Sequence, residues 1–378
     1  MDPLSPWTYG RRNLRRILPL FIILAFVVML VVAILTALGG LKESALAYTR
    51  EFDHWTVLFP RRDTRISASA RAALEAHPAV ERLIDSRNCF ARVRTLIGPV
   101  PYHLRAVRRE EAEFLLARAG NRLKEGSLPR PGTSEVALHE NLMKANGWTL
   151  GAEFGMEVTE DDWMPGRFRV VGILEGPTPL GLASFEYLDN PLLYPFSAKL
   201  WERLIVVARP GRLAELNAFL RTLPDVKPWD RERAVEEVSE AFDRIVLIFN
   251  FISGLLIVVV SGVVGLLHSI FFAQRLDEFA ILLAIGHTRR RLLGKALAET
   301  AGLMAFSWAA GLALALAALE TFRQAVLLPR GISPPAAQAG PVLVSLALPL
   351  VAQAFAGVTV FGRLRKLDPV TIIERRGS

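Results

Sequence analysis

The side chains that could do chemistry in this chain are few and scattered. Six histidines occur among the 378 residues, at His54, His77, His103, His139, His268 and His287. None lies at metal-ligand spacing with a second histidine, a cysteine or a carboxylate in a recognisable pattern. The tripeptide "HEN" at 139–141 lacks the second histidine of a zinc protease, and "ASF" at 183–185 is not the G-x-S-x-G elbow of a serine hydrolase. We therefore predict no catalytic residue, no metal site and no cofactor on this chain.

The sequence also predicts neither a nucleotide-binding loop nor a disulfide. The sequence has no G-x-x-x-x-G-K-[ST] motif, so any work driven by a nucleotide must be powered by another polypeptide. The single cysteine, Cys89, cannot form an intrachain disulfide, and we expect its thiol to pack as a small apolar group.

Long apolar runs account for the 52% hydrophobic composition. Each run exceeds the roughly 20 residues that a helix needs to cross the hydrocarbon of a bilayer. We predict four transmembrane helices, over residues 17–38, 244–273, 296–319 and 340–362. The first run is longer than the roughly 7 to 15 apolar residues of a secretory signal, so we expect a retained anchor rather than a cleaved signal.

Basic residues predict how the chain is oriented. They cluster before the first run, between the second and third, and after the fourth, as in Arg11, Arg12, Arg15, Arg16, Arg275, Arg289, Arg290, Arg291, Lys295, Arg363, Arg365 and Lys366. By the positive-inside rule, segment 1–16, the connection 274–295 and the tail 363–378 are cytoplasmic in the inner (plasma) membrane. Residues 39–243 and the short loop 320–339 are then external. The net charge of +8 thus belongs to the membrane flanks and does not indicate nucleic acid.

Segment 1–16 mixes aromatic and basic residues, which predicts a short helix at the level of the lipid headgroups. Beyond the first span, Gly39 and Gly40 are expected to interrupt the helix before a stalk continues outward. The amphipathic stretch "RERAVEEVSEAFDRI" predicts a second stalk that runs unbroken into the second span.

The external segment is long enough for its own core. Strands are predicted at "HWTVLFP", "RLIVVARP" and "FRVVGILEG", and helices at "SASARAALEAHPAVERLID", "GRLAELNAFLRTL" and near 138–146. The predicted fold is an α-helical membrane protein with four transmembrane helices and a large extracytoplasmic α/β (α+β) domain inserted between the first two.

The cytoplasmic connection is the most informative stretch. In "RLDEFAILLAIGHTRRRLLGKALAE", residues 275–299, the second span is predicted to extend to Ile285, where Gly286 ends the helix and Thr288 caps the next. The apolar side chains of this elbow need cover beyond the bilayer, namely Phe279, Ile281, Leu282 and Ile285. Two alternatives remain open: burial against spans of the same chain, or docking in a groove of a cytoplasmic partner.

Two ionisable residues lie within predicted spans. Glu299 and His268 both fall near the cytoplasmic ends of their helices. We expect Glu299 to reach the interface or to pair with Arg291 or Lys295 rather than to serve transport, and neither residue indicates a proton path.

The elbow resembles the cytoplasmic signature of the FtsX-like permease family, the type VII ABC transporter subunits that include MacB, LolC, LolE and FtsX. Matching positions are Arg275, Glu278, Ile281, Leu282, Ala284, Gly286, Thr288, Arg289, Arg290 and Glu299. "YGRRNLRRIL" is similar to the amphipathic start of the family. The loop-rich stretch from "EGSLPRPGTSEVALHENL" to "FRVVGILEG" resembles the outer domain of MacB-like permeases.

The resemblance implies a permease subunit that dimerises with a second copy or a paralogue and binds a cytoplasmic ABC ATPase, which carries the ATP-Mg. The ATPase-coupling residues would be Arg275, Glu278, Phe279, Ile281, Leu282, Ala284, Ile285, Gly286, Thr288, Arg289 and Arg290. Movement of the elbows would pass through the stalks without substrate crossing the membrane. Membrane lipids are further partners, and a periplasmic adaptor is left open.

Two functions compete at this point. The first is export or extraction of a substrate from the outer face of the inner membrane by mechanotransmission. The alternative is an FtsX-like signal transducer that activates an envelope hydrolase and transports nothing. The size of the external segment favours export.

Overall fold

The fold was obtained as a computed structural model, which describes residues 14–61, 64–95, 98–332 and 338–365. The chain divides into two compact units. One is Met1–Gly40, Asp243–Phe322 and Pro335–Ser378, and the other is Leu41–Phe242 with Arg323–Pro334. The headgroup-level helix predicted for 1–16 and the tail predicted for 363–378 fall largely outside the described residues.

Eleven α-helices occur in the described residues. In chain order they are α1 (Leu14–Ala47), α2 (Ala68–Glu75), α3 (Arg109–Arg118), α4 (Glu140–Asn146), α5 (Phe185–Asp189), α6 (Leu213–Thr222), α7 (Arg231–Ala273), α8 (Leu276–Ala284), α9 (Arg289–Phe322), α10 (Ala339–Ser345) and α11 (Ala347–Arg365). Four helical stretches are long and apolar enough to cross a membrane: Leu18–Asp53, Arg231–Ala273, Arg289–Arg330 and Ala339–Gly362. The structure thus has four helices with the length and composition of membrane spans, in the chain order that was predicted.

Two details of the spans differ from the sequence-based expectation. Helix α1 continues without interruption through Gly39 and Gly40, because a glycine costs a helix only about 1 kcal/mol and the long apolar run on its N-terminal side outweighs that cost. The fourth span, in contrast, is divided at Leu346 into α10 and α11. Pro349 explains the division, since it has no N–H to donate to the carbonyl four residues earlier. Helix α7 is one piece of 43 residues, as predicted.

The second unit is built on a single mixed sheet. Its ten strands are β1 (Trp55–Pro60), β2 (Val80–Thr95), β3 (Gly98–Val107), β4 (Arg122–Gly126), β5 (Glu135–His139), β6 (Glu153–Phe154), β7 (Phe168–Glu175), β8 (Gly181–Ser184), β9 (Glu202–Ala208) and β10 (Val226–Trp229). The order is β10-β1-β9-β2-β3-β8-β5-β7-β4, with β6 paired to β7. Among the strands that the structure describes, the β3–β8 and β5–β7 pairs are parallel and the others are antiparallel.

The predicted strands at β1, β7 and β9, and the predicted helices α4 and α6, are confirmed. The prediction of helix over "AVERLID" is wrong, because these residues begin the long strand β2. Helix α2 ends at Glu75, just before Pro78, which disfavours helical backbone at the residue preceding it. Pairing of Val80 through Arg87 with β9 then fixes the extended backbone, a contact between residues far apart in sequence.

Candidate coupling site

The elbow between the second and third spans is a short helix set between two breaks. Helix α7 ends at Ala273 and α8 begins at Leu276, so the predicted continuation of α7 to Ile285 is wrong at Gln274 and Arg275. The break lets the ring of Phe279 stack on Phe272, with centroids 4.8 Å apart. At the other end Gly286 adopts a left-handed φ of 99°, as expected for a glycine that ends a helix.

Thr288 caps α9 as predicted, since its hydroxyl accepts from the Arg291 N–H at 3.4 Å. The turn at Gly286 and the cap at Thr288 were therefore both predicted from the sequence. The break at Gln274 and Arg275 was not.

One side of α8 is buried within the chain. Phe279 is 3% exposed and Ala280 is also buried. Phe279 belongs to a core cluster with Phe272, Leu292, Ala296 and Val360. Of the two alternatives that the sequence left open, burial against the same chain therefore holds for Phe279.

The opposite side of α8 is exposed. Ile281 and Ile285 are 52% and 69% exposed, while Leu282 is half-buried. Their spacing of four residues places the two isoleucines on one face. The other exposed residues among the predicted coupling set are Glu278, Ala284, Gly286, Thr288, Arg289 and Arg290. The elbow thus presents an exposed apolar strip that is close in sequence to Arg289 and Arg290.

Arg275, at the start of the elbow, forms an ion pair with Glu299 of the third span. Its Nη1 donates to Glu299 Oε2 at 2.8 Å, and its Nε donates to Glu278 Oε2 at 3.1 Å. The guanidinium carbon lies 5.3 Å from the centroid of the Phe279 ring. The predicted pairing of Glu299 with Arg291 or Lys295 is therefore wrong. The break between α7 and α8 places the Arg275 side chain against Glu299, so Arg275 takes the position predicted for Arg291 or Lys295.

His268 is held by a hydrogen bond between spans. Its Nε2 lies 2.9 Å from Thr300 Oγ1, whose own proton is directed to the Ala296 carbonyl at 2.8 Å. The imidazole therefore acts as the donor. His268 and Glu299 each have a structural partner. Among the described residues, no group of three or more His, Cys, Asp or Glu could hold a metal ion.

Sequence reasoning missed a second set of charged residues, in the sheet unit. After α1, a 3₁₀ turn over Tyr48–Asp53 places Glu51 against the buried Arg105 of β3. Arg105 Nε donates to Glu51 Oε2 at 2.8 Å, and its Nη2 donates to Oε1. Asp53 of the same turn pairs with Arg231 at the start of α7. The signal available in sequence was weak, because charges near a predicted stalk are usually solvated.

A second buried arginine lies beside this pair. Arg203 is 3% exposed, and its Nη2 donates to His103 Nδ1 at 3.1 Å. Burial, with the positive charge of Arg105 nearby, lowers the pKa of Arg203 to about 9. Desolvation of the ring at this contact, with the positive charges of Arg203 and Arg105 nearby, lowers the pKa of His103 to about 3, although the residue is partly exposed. The imidazole therefore stays neutral and can accept the bond.

Four apolar helices of spanning length, with a mixed α/β domain between the first two in the chain, indicate a membrane protein with a large inserted domain. Residues 250–369 match the FtsX-like permease C-terminal family. The C-terminal part of the chain thus belongs to the FtsX-like permeases, and the resemblance seen in the elbow is confirmed. No curated protein sequence is significantly similar to the chain.

Three solved structures are similar to the inserted domain. The periplasmic region of MacB from Actinobacillus actinomycetemcomitans is 13% identical, with a TM-score of 0.29, and covers 49% of this chain and 92% of its own. The extracellular domain of the noncanonic ABC-type transporter YknZ from Gram-positive bacteria is 11% identical, with a TM-score of 0.29, and covers 47% and 99%. A domain of a permease protein from Porphyromonas gingivalis is 18% identical, with a TM-score of 0.27, and covers 48% and 93%. Similarities this low support no argument about function.

Proposed function

We propose that this chain is the permease subunit of a type VII ABC transporter, driven by a separate cytoplasmic ATPase that binds ATP-Mg. The observation that carries the proposal is the exposed strip of Ile281 on α8 and Ile285 at its C-terminal end, close in sequence to Arg289 and Arg290, in a region that matches the FtsX-like permease family. A helix that exposes two isoleucines beside the membrane fits a groove on a partner protein.

The other side of α8 supports a role in transmitting force. Phe279 is packed in a core and Arg275 is ion-paired to Glu299 of α9, so α8 is attached to the neighbouring spans rather than hanging freely. A push on the exposed strip would then move α7 and α9. Helix α7 has 43 residues, or roughly 65 Å at 1.5 Å per residue, and can carry such a displacement along its length.

In this proposal two permease chains, identical or paralogous, work with two copies of the ATPase. The sheet domain lies outside the inner membrane and the elbow lies in the cytoplasm, as the distribution of basic residues favours. Cycles of ATP binding and hydrolysis move the sheet domain and export or extract a substrate at the outer face. The alternative, an FtsX-like transducer that activates an envelope hydrolase, uses the same elbow and differs only in what the outer domain engages.

The proposal is tested by affinity purification of the tagged chain in mild detergent, with mass spectrometry of the retained proteins. We expect an ABC ATPase with the wild-type chain and its loss with Ile281→Asp or Ile285→Asp, because a carboxylate in an apolar groove must be desolvated. Leu328→Asp is the matched control, since Leu328 is also an exposed apolar residue but lies outside the elbow. Phe279→Asp is unsuitable, because it would disrupt the core that holds α8.

Equal recovery of an ATPase with the isoleucine variants and the control would exclude docking at this strip. Absence of any ATPase in several detergents would exclude the coupled-permease proposal itself. Co-purification of an envelope hydrolase, in place of lipids, lipoproteins or peptides, would favour the transducer over the exporter.

A further inference from the structure

The exposed apolar side chains of the sheet domain are concentrated on two loops. Among the described residues of this unit, eight large apolar side chains are exposed, and five of them lie on these loops. They are Met156, Val158 and Trp163 on the loop between β6 and β7, and Leu192 and Leu193 on the loop after α5. Leu192 is 91% exposed. Such a concentration is unusual for a surface that only faces water.

The two loops are neighbours. Tyr194 Oη donates to the Pro165 carbonyl at 3.0 Å, which joins the second loop to the first. Within the first loop, the Met156 N–H donates to the Met164 carbonyl at 2.9 Å. The exposed side chains beside these residues therefore form one surface, which we call the two-loop surface.

The first loop is held in a fixed conformation. The buried carboxylate of Asp162 accepts from the Gly155 N–H at 3.0 Å and from the Trp163 N–H at 2.8 Å. Gly155 has a φ of 113°, and a Cβ there would lie 2.2 Å from the Gly166 carbonyl oxygen. Trp163 is thus presented outward by a rigid frame, which reduces the entropy lost when it binds a partner.

An acidic patch of three exposed side chains, Glu157, Glu160 and Asp161, lies on the first loop beside Trp163. Of the acidic residues on the two loops, Asp162 is buried and Asp189 pairs with Arg87. Arg167 at the end of the first loop pairs with Glu153, and the guanidinium carbon of Arg92 lies 5.9 Å from the centroid of the Trp163 ring. Glu157, Glu160 and Asp161 are exposed, and in the described part of the chain they form no ion pair. Apolar anchors beside carboxylates make an interface that selects its partner by charge.

We propose that the two-loop surface binds a cationic amphipathic peptide segment, whose apolar face covers Trp163 and Leu192 and whose basic residues meet Glu157, Glu160 and Asp161. An anionic lipid surface would be repelled by the same carboxylates. A second copy of the domain would bring like charges together. The inference rests on the composition of this surface and does not depend on ATPase docking at the elbow.

The test uses the full chain in nanodiscs of neutral phosphatidylcholine and a fluorescein-labelled amphipathic peptide of Lys, Leu and Ala, followed by fluorescence anisotropy. We expect the combined variant Glu157→Gln, Glu160→Gln, Asp161→Asn to weaken binding about tenfold at low salt, because three exposed charge pairs with the peptide are lost. Trp163→Ser with Leu192→Ser should weaken it at least as much. Added salt should reduce wild-type binding and abolish the difference made by the charge variant.

Two control chains carry matched changes elsewhere on the domain. Glu75→Gln, Glu110→Gln, Glu125→Gln removes three exposed carboxylates, and Leu123→Ser removes an exposed apolar residue. Both should bind the peptide as the wild type does. The proposal is overturned if the two-loop variants bind like these controls, or if a peptide with Glu in place of Lys binds equally well. Peptide binding at the two-loop surface and ATPase co-purification at the elbow are measured in separate experiments. Failure of one proposal can therefore be told from failure of the other.

Discussion

The ion pair between Glu51 and Arg105 gives the sharpest prediction about stability. Both side chains are buried, and Arg203 places a second buried positive charge nearby. Glu51→Gln would leave two buried guanidinium groups facing a neutral amide. Breaking a buried pair from one side costs about 3–5 kcal/mol, because the remaining charge stays desolvated without compensation. For a domain of this size, about 2–4 °C per kcal/mol gives a fall in the melting temperature of about 6–20 °C.

Near-UV circular dichroism during heating measures this loss. Five of the seven tryptophans belong to the sheet unit, so the signal reports mainly on that unit. Glu113→Gln is the matched control. It breaks the exposed pair of Glu113 with Arg109 and should cost less than about 1 kcal/mol. Replacing Glu51 and Arg105 together with Met should recover at least half of the loss, because a buried apolar pair needs no compensation. A melting temperature for Glu51→Gln equal to that of Glu113→Gln would refute the reasoning.

Two further predictions concern the same unit. The pKa of His103 is about 3 in the folded protein against 6.5 for the free side chain, so the unfolded chain binds a proton first as the pH falls. Stability that is fully present above about pH 6.5 should therefore decline as the pH falls. Because His103 is partly exposed to solvent, we expect a loss of less than about 1 kcal/mol between pH 7 and 5. Urea unfolding at the two pH values should show a smaller decline in His103→Asn, and an unchanged decline would contradict the assignment. Gly126→Ala should lower the free energy of unfolding by about 1–3 kcal/mol. The reason is that φ is 82° at this residue and the new Cβ would lie 2.1 Å from the Val171 carbonyl oxygen. A melting temperature within about 1–2 °C of the wild type would contradict this prediction and show that the loop adapts.

The sequence was sufficient for the features that depend on local composition. Apolar runs predicted the four spans, and amphipathic spacing predicted the unbroken α7. The turn at Gly286 was predictable because only glycine adopts its φ at low cost. Half-buried alternation and apolar runs identified β1, β7 and β9.

Features that depend on contacts between distant residues were beyond sequence reasoning. The strand over residues 80–85 is fixed by its pairing with β9, which local helical preference cannot reveal. The partner of Glu299 depends on the direction in which α8 leaves Arg275. Burial of Phe279 and exposure of Ile281, only two residues apart, required knowledge of which face of α8 meets the core.

The position of β1 in the sheet has a consequence for how the domain is made. This strand follows the first span directly, yet its two neighbours are β9 and β10, which begin at residues 202 and 226. During synthesis at about 5–20 residues per second, β1 waits on the order of ten seconds for either partner. Trp55, Val57 and Leu58, all buried in the finished domain, then present an apolar strand with unpaired edges. The emerging chain therefore needs protection from aggregation at this stage, and the domain closes only when its last strands arrive.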